Sequence, residues 1–578
     1  MEHYWNVLDS YRGKFFEGQW PSVAHMLLIT LKEHPENIAF TTIEGSNKKS
    51  LTYREVYQNI LNVASYLKEN NITRGDRVIL NGKNSPQWAT AYLAIHFCAA
   101  TVVPLDNQLP IDRVESLCTF SQVKGIFADS DVLEKLEDHE FLKSQSLIIS
   151  LDNKSKYKAI DELPISKKEI EPKDLPSESD IAAILYTSGT TGNEKGVVLT
   201  HANIVSNVYQ ASDPEFLSIT SDDIFYALLP LHHSYSMTAV FLEAIKHGCE
   251  LLFGQGIVVS RVLNEMREGN VTLFLAIPLL YNKLLSGLMK KVREKGLAAY
   301  ALIRVLMVLN GLLRKFFKIN MGKKWFYPLL DGIGMVNNKL CICGGGPLSP
   351  ETFRQYQQLG LDFIQGYGLT ETSPILTLNP VSRFKVSSVG KVLPLVEMKI
   401  AEPDFFGNGE VLVKGPNICQ GYFNDEKNSR NLFTEDGFLK TGDLGHLDKE
   451  NYLYLKGRAK NLIVTEGGKN VYPEEIEDQF QLYAEIEQIM VRGYIANRAS
   501  RSEGIEALIF PNFDYFEQQN IAKESIEKEV EKIVSEVNRR LISYKKISKF
   551  TLLDTPMAMT STKKIQRTKV LPTNNHSR

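Results

Sequence analysis

Residues 187–196 read TSGTTGNEKG and follow directly on the apolar run 181–185, IAAIL. A short apolar run of that kind has the pattern of a buried strand. Gly189, Gly192 and Gly196 allow backbone shapes that a Cβ would obstruct. Between them stand the hydroxyls of Thr187, Ser188, Thr190 and Thr191, and the segment carries one cation, Lys195. Backbone N–H groups brought close by small residues, hydroxyl donors and a fixed positive charge are what a polyphosphate requires. The hydrolase-type loop GxxxxGK[ST] is excluded, because Lys195 is followed by Gly196. A plain Ser/Thr/Gly surface loop is disfavoured by its position behind the strand and by its terminal lysine.

Other groups with chemical potential lie far away along the chain. Residues 366–372, GYGLTET, place Tyr367 between Gly366 and Gly368, an aromatic ring flanked by open backbone that suits a flat base or a packed turn. Glu371, between Thr370 and Thr372, is a carboxylate in a hydroxyl-rich turn, and beside a polyphosphate it would hold Mg²⁺. Upstream, GGGPLSPE begins at Gly344 and includes Gly345 and Gly346. In LKTGDLG, Asp443 has the two oxygens needed to accept from a ribose diol, and Arg458 after Gly457 has a guanidinium able to bridge ribose and phosphate. Either could equally be a turn residue or a surface ion pair. His232 and His233 follow an apolar, proline-containing run and put at least one ring near a polar pocket. The tail MTSTKKIQR carries Lys563 and Lys564, which composition alone would leave solvated.

The elements that must position these groups are legible as patterns. Residues 53–69 repeat apolar positions at helical spacing, and residues 77–80 follow as a strand. Residues 89–100 are helix-like and lead into a second strand at 101–105. This alternation predicts an α/β architecture with parallel strands. Residues 154–180, polar and holding three prolines, read as a linker. From 391 to 455 short strands and glycine turns predict a β-rich subdomain. Beyond it, a helix opening at Pro473, an amphipathic helix at 525–541 and a strand at 550–553 suffice for a small α+β domain. The expected division is 1–457, a hinge at 458–461, and 462–578.

With 578 residues, 43% hydrophobic and 23% charged, the chain is of ordinary globular composition and long enough for two or more domains. Its net charge of -2 gives no pull toward nucleic acid. The six cysteines lack metal-ligand spacing, and buried free thiols are expected. The opening residues lack the basic segment and apolar core of a secretory signal, so the expected setting is reducing and cytoplasmic. Residues 297–318 form an apolar helical stretch with a basic strip, flanked by further lysines across 290–324. That pattern suits the surface of an anionic bilayer, at the inner face of the membrane, or equally a helix packed on its domain with snorkelling basic ends.

Taken in order and spacing, these motifs resemble the adenylate-forming superfamily of acyl-CoA synthetases, peptide-synthetase adenylation domains and luciferases, from LTYREV at Leu51 to Lys564. The signature at 186–203, the segment GKNVYPEEIE at 468–477, the tail ending at Lys564 and the basic helical insertion look most like long-chain fatty acyl-CoA synthetases. The resemblance implies a large N-terminal α/β domain with a β-rich subdomain and a small mobile C-terminal domain. It implies that Thr187, Ser188, Gly189, Thr190, Thr191, Gly192 and Lys195 cradle ATP phosphates, with Thr187 and Glu371 on Mg²⁺. Gly345, Gly346, Tyr367, Gly368 and Thr370 would surround the nucleotide, and Asp443 and Arg458 would take the ribose. His233 would lie beside the acyl carboxylate, Lys564 would bridge carboxylate and α-phosphate, and Lys460 would be the hinge. The implied activity is ATP-dependent activation of a fatty acid and transfer to the CoA thiol; loading of an acyl carrier protein is the alternative acceptor. Four positions depart from the family pattern: Glu194 in place of proline, Asn461 in place of an acid, Phe438 in place of tryptophan, and Lys563 in place of glycine.

Overall fold

A computed structural model describes residues 4–570, apart from 46, 146, 169, 172–173, 188–193, 257, 465–468, 498–501 and 561–563. Gly467 and Gly468, whose pairing reads as a turn, the loop residues Ser188, Gly189, Thr190, Thr191 and Gly192, and Lys563 lie outside the described residues.

The helix–strand alternation builds two sheets. The first has six strands in the order Ile148–Ser150, Gly125–Ala128, Arg77–Asn81, Thr101–Leu105, Ile181–Thr187 and Lys195–Thr200. Its strands pair in parallel up to Ile181–Thr187, and the last pairing is antiparallel. Parallel neighbours need a long crossover, whereas an antiparallel return needs only a short loop. The strands on either side of residues 188–193 are therefore antiparallel neighbours at the sheet edge, with Thr187 opposite Lys195.

The second sheet has nine strands. Its parallel centre comprises Phe363–Gly368, Leu340–Cys343, Leu273–Ala276, Ile224–Ala227, Glu250–Phe253 and Ile38–Glu44, with antiparallel strands at both ends. The helix Pro86–Phe97 touches strands of both sheets and is buried on every side from Trp88 onward. A helix apolar all round can be accommodated only inside such a layer. All six cysteines are buried free thiols, as expected.

The β-rich region forms a four-stranded antiparallel sheet of Glu397–Ala401, Gly409–Lys414, Leu439–Leu447 and Leu453–Arg458. Here Asp443 and Arg458 are directly opposite each other. After residue 461 comes a three-stranded sheet, Ile486–Asn497, Ser502–Pro511 and Lys549–Leu552, covered by the helix Ile526–Arg540. That helix buries Ile526, Val530, Ile533 and Val537, the face its spacing predicts, in an apolar cluster of its own with Ile476, Phe480 and Val491.

One crossing sets the position of the chemistry. The strand Phe363–Gly368 ends where the chain turns and returns as Ile375–Leu378, after a cis Ser373–Pro374 bond. A Cβ on Gly368 would lie 1.8 Å from the Pro374 carbonyl oxygen. Backbone on one side and backbone on the other leave nothing to yield. Gly368→Ala is expected to cost about 2 kcal/mol or more. Urea unfolding of the variant against the parent protein measures it, and an unchanged midpoint would show that the turn can widen.

Candidate active site

The turn after Gly368 gathers side chains from three of the sheets. From the hairpin of the first sheet, Lys195 sets its ammonium 4.7 Å from the centre of the Tyr422 ring. The Tyr422 hydroxyl donates to Glu371 Oε1 at 3.0 Å. Residues 420–423 are held there by backbone bonds: Val198 N–H donates to Gly421 O at 3.0 Å, and Phe423 N–H to Gly196 O at 2.7 Å. Thr187, Lys195 and Glu371 are thus brought to one place, although the sequence separates the first from the last by most of a domain.

On the other side of the turn, the Tyr367 hydroxyl donates to Asp443 Oδ2 at 2.6 Å, and Arg458 Nε lies 2.7 Å from Asp443 Oδ1. Asp443 is buried, and burial raises its pKa while Arg458 and the Tyr367 hydroxyl pull it back. Burial, then the Asp443 charge, push the Tyr367 hydroxyl well above the ordinary phenol range. Thr370, in the same turn, accepts from the Ser234 hydroxyl at 3.3 Å, which ties the turn to the segment bearing the two histidines.

The rings of His232 and His233 are 4.1 Å apart, and His232 Nε2 is 3.7 Å from Asp106 Oδ2. Burial holds both imidazoles at about 3, far below their ordinary value. They are neutral, so they donate or accept hydrogen bonds without adding charge. Gly345 has a left-handed φ of 79°, and Gly344 lies under the Tyr235 ring, which a Cβ there would meet at 2.9 Å. The glycine run thereby lets an aromatic ring pack directly on backbone.

Lys564 comes from the far end of the chain. Thr560 and Lys564 close a turn by backbone and hydroxyl bonds, Thr560 N–H to Lys564 O at 2.8 Å and Lys564 N–H to Thr560 Oγ1 at 3.1 Å. Arg567 anchors this turn through Glu477, at 2.5 and 2.6 Å, and through Val491 O at 2.8 Å. Lys564 keeps access to solvent, although protein crowds around its ammonium. That loss of solvation, and then the Arg458 guanidinium, lower its pKa, with Asp443 opposing; its charge also acts on His233. One lysine thus senses both the Asp443–Arg458 pair and the histidine segment. Lys460 lies in a short helical turn, Ala459–Asn461, next to Arg458.

Several groups that shape this site have no signal in the sequence. Tyr422 links Lys195 to Glu371, and only the pairing of residues 420–423 with the hairpin reveals it. Glu194 pairs with Arg113 on the helix Ile111–Ser121, so its charge is neutralised from a neighbouring element. Asn461 donates to Glu474 Oε1 at 2.6 Å, which supplies an acid at that place from another residue. Phe438 lies under Lys399, 3.9 Å from its ring centre. Gln481 joins the C-terminal region to the body, accepting from Ser349 N–H at 2.9 Å and donating to Pro347 O at 3.1 Å.

The family model for AMP-binding enzymes matches residues 29–423. The chain belongs to that family. It is 26% identical over 499 residues to the long-chain-fatty-acid–CoA ligase FadD15 of Mycobacterium bovis, covering 83% of this chain and 81% of that protein. It is 29% identical over 455 residues to the 2-succinylbenzoate–CoA ligase of Enterococcus faecalis, covering 77% and 81%. The crystal structure of ATP-bound MatB from Rhodopseudomonas palustris superposes with a TM-score of 0.75 at 23% identity, over 96% of this chain and 98% of that one. The fold is that of adenylate-forming enzymes.

The neutral histidines give a direct check. With the imidazole carbons of the full protein labelled, the His232 and His233 resonances are expected to stay constant between pH 5 and pH 8, because burial disfavours the charged ring throughout that range. A midpoint near 6.5 would show an open, solvated site instead.

Proposed function

We propose that this AMP-binding acid–thiol ligase activates a long-chain fatty acid with ATP and passes the acyl group to CoA. One observation carries the reading: Lys195, Glu371, Asp443, Arg458 and Lys564 meet around a single turn, with the neutral His233 at its side. Five charged groups serving unrelated purposes would have no reason to converge there.

A carboxylate oxygen is a poor leaving group. Its attack on the α-phosphorus of ATP forms a C–O–P anhydride and breaks the bond to pyrophosphate, which departs with the electron pair. Two anions must meet, so cations are needed where they do. In this reading Thr187, Ser188, Gly189, Thr190, Thr191, Gly192 and Lys195 bind the phosphates. Tyr367 covers the adenine with Gly345, Gly346, Gly368 and Thr370 around it, and Asp443 and Arg458 take the ribose. Thr187 and Glu371 are hard oxygen donors suited to Mg²⁺, and Tyr422 orients the carboxylate of Glu371 by holding its Oε1. When bound, Mg²⁺ would offset phosphate charge. His233, kept neutral, orients the acyl carboxylate without protonating it. Lys564 bridges that carboxylate and the α-phosphate, a contribution of about 3–4 kcal/mol by analogy with oxyanion donors.

The second half-reaction is attack of a thiol on the acyl carbonyl, which forms the thioester and releases AMP. Lys564 must withdraw for the thiol to enter. We assign residues 1–457 to the nucleotide- and acyl-binding body, 458–461 with Lys460 to a hinge, and 462–578 to the part that rotates. Arg567 and the turn at Lys564 travel with that part, whereas Asp443 remains with the body and Arg458 is the first residue of the hinge. CoA is the proposed acceptor; an acyl carrier protein is the alternative, and thioester yield with each as sole acceptor separates them.

The long-chain assignment is supported by relatives whose names include fatty-acid ligases. Each buried methylene is worth about 0.8 kcal/mol, so a tail of about a dozen carbons gains on the order of 10 kcal/mol before ordering costs. Such an acid partitions into bilayers, so a cytoplasmic enzyme working at an inner membrane face fits its supply.

Lys564→Ala is expected to lower fatty-acid-dependent exchange of labelled pyrophosphate into ATP by about a hundredfold or more, while thioester formation from synthetic acyl-adenylate stays within a few fold. Equal losses in both half-reactions would give the lysine a different task. Exchange across acids of graded length should rise with chain length; a preference for an aryl or short acid would overturn the substrate assignment but leave the Lys564 result standing.

A further inference from the structure

The helix Leu297–Phe317 is apolar on both sides and is fastened to the protein by polar side chains. Asn310 Nδ2 donates to Gln358 O at 2.9 Å and its Oδ1 accepts from Met321 N–H at 2.8 Å. Arg314 pairs with Asp362 at 2.5 Å and donates to Gln357 O and Leu361 O, each at 3.1 Å, and Arg304 lies 3.6 Å from Glu351. The basic strip is in part the attachment of the helix to its body, and Met307, Ile303 and Leu306 pack against the core on the same side. A second set of apolar residues faces out. At 100° per residue, Leu302, Val305, Val308, Leu309, Leu312 and Phe316 share one stripe, and every one is exposed, Val305 by 63% and Phe316 by 66%. This is the one helix among the described residues long and apolar enough to cross a membrane, yet little of it is buried.

We propose that this stripe lies in the plane of an anionic lipid bilayer, as an interfacial helix about 30 Å long. The bonds of Asn310, Arg314 and Arg304 hold the helix against the body, so it lies along the interface rather than spanning it. Charge selects the occupant. Residues 290–324 carry ten cations and one acid, Glu294, and Lys291, Lys295, Lys315, Lys318 and Lys324 are exposed at the two ends of the helix. A second copy of the chain seated on the stripe would set these lysine-rich ends against their equivalents in either orientation. An anionic headgroup layer satisfies the cations while the acyl region takes the stripe. The docking does not depend on which acid the enzyme activates.

The test is flotation of the full-length protein with vesicles of phosphatidylcholine, alone or mixed with phosphatidylglycerol. The protein should float with the mixed vesicles and far less with the neutral ones. Val305→Glu with Leu309→Glu should lower partitioning about a hundredfold or more, with an unchanged thermal midpoint because both side chains point to solvent. Lys315→Gln with Lys318→Gln and Lys324→Gln, confined to the exposed surface, should lower it about a hundredfold and carries the test should the glutamates disturb folding. Parent protein that stays in solution, equal flotation with neutral vesicles, or variants that float like the parent would each overturn the proposal. So would a lipid-independent dimer in gel filtration that Val305→Glu dissociates, which would make the stripe a contact between copies.

Discussion

A turn with backbone on both sides holds the site together. Gly368 lies so close to the Pro374 carbonyl that no side chain fits, and this closeness lets residues 370–372 project where elements from three sheets can reach them. Glu371 then meets Tyr422, which also carries Lys195 on its ring, while Tyr367 meets Asp443, the partner of Arg458. If the turn widened, the bonds of Glu371 to Tyr422 and of Tyr367 to Asp443 would be the ones to lengthen. The local cost of a tight crossing is set against the whole electrostatic arrangement.

The charged groups of the site are each held by a specific partner. Lys195 rests on an aromatic face, where its charge is stabilised. Arg458 is committed to Asp443 and the Thr441 carbonyl. Lys564 is placed on a turn that Arg567 fixes through Glu477. Glu194, next to Lys195 in the chain, is paired with Arg113. The histidines, held neutral by burial, contribute shape and hydrogen bonding but no charge.

The helix Leu297–Phe317 follows the opposite logic from the rest of the surface. Elsewhere, amphipathic helices such as Ile526–Arg540 bury Val530 and Val537 and present charge to water. Here Asn310 is fully buried with its amide hydrogen bonded, while Leu302 and Phe316 are exposed. An exposed apolar stripe of this length costs solvation of apolar area unless something covers it.

By itself the sequence determined the groups and the local elements. Glycines, hydroxyls and Lys195 behind an apolar run, the spacing of residues 53–69 and 525–541, and the short strands after 391 are local patterns, because helix and strand periodicity are written in neighbouring residues. Tertiary structure decided which distant groups meet. That Thr187 and Lys195 face each other across an antiparallel pair, that Tyr422 stands between Lys195 and Glu371, and that Arg113 offsets Glu194 all depend on sheet order and register, which no local pattern encodes. The direction of the helix Leu297–Phe317 belongs to the same class: periodicity showed two faces, but only the bonds of Asn310 and Arg314 to residues 357–362 fixed which face turns inward.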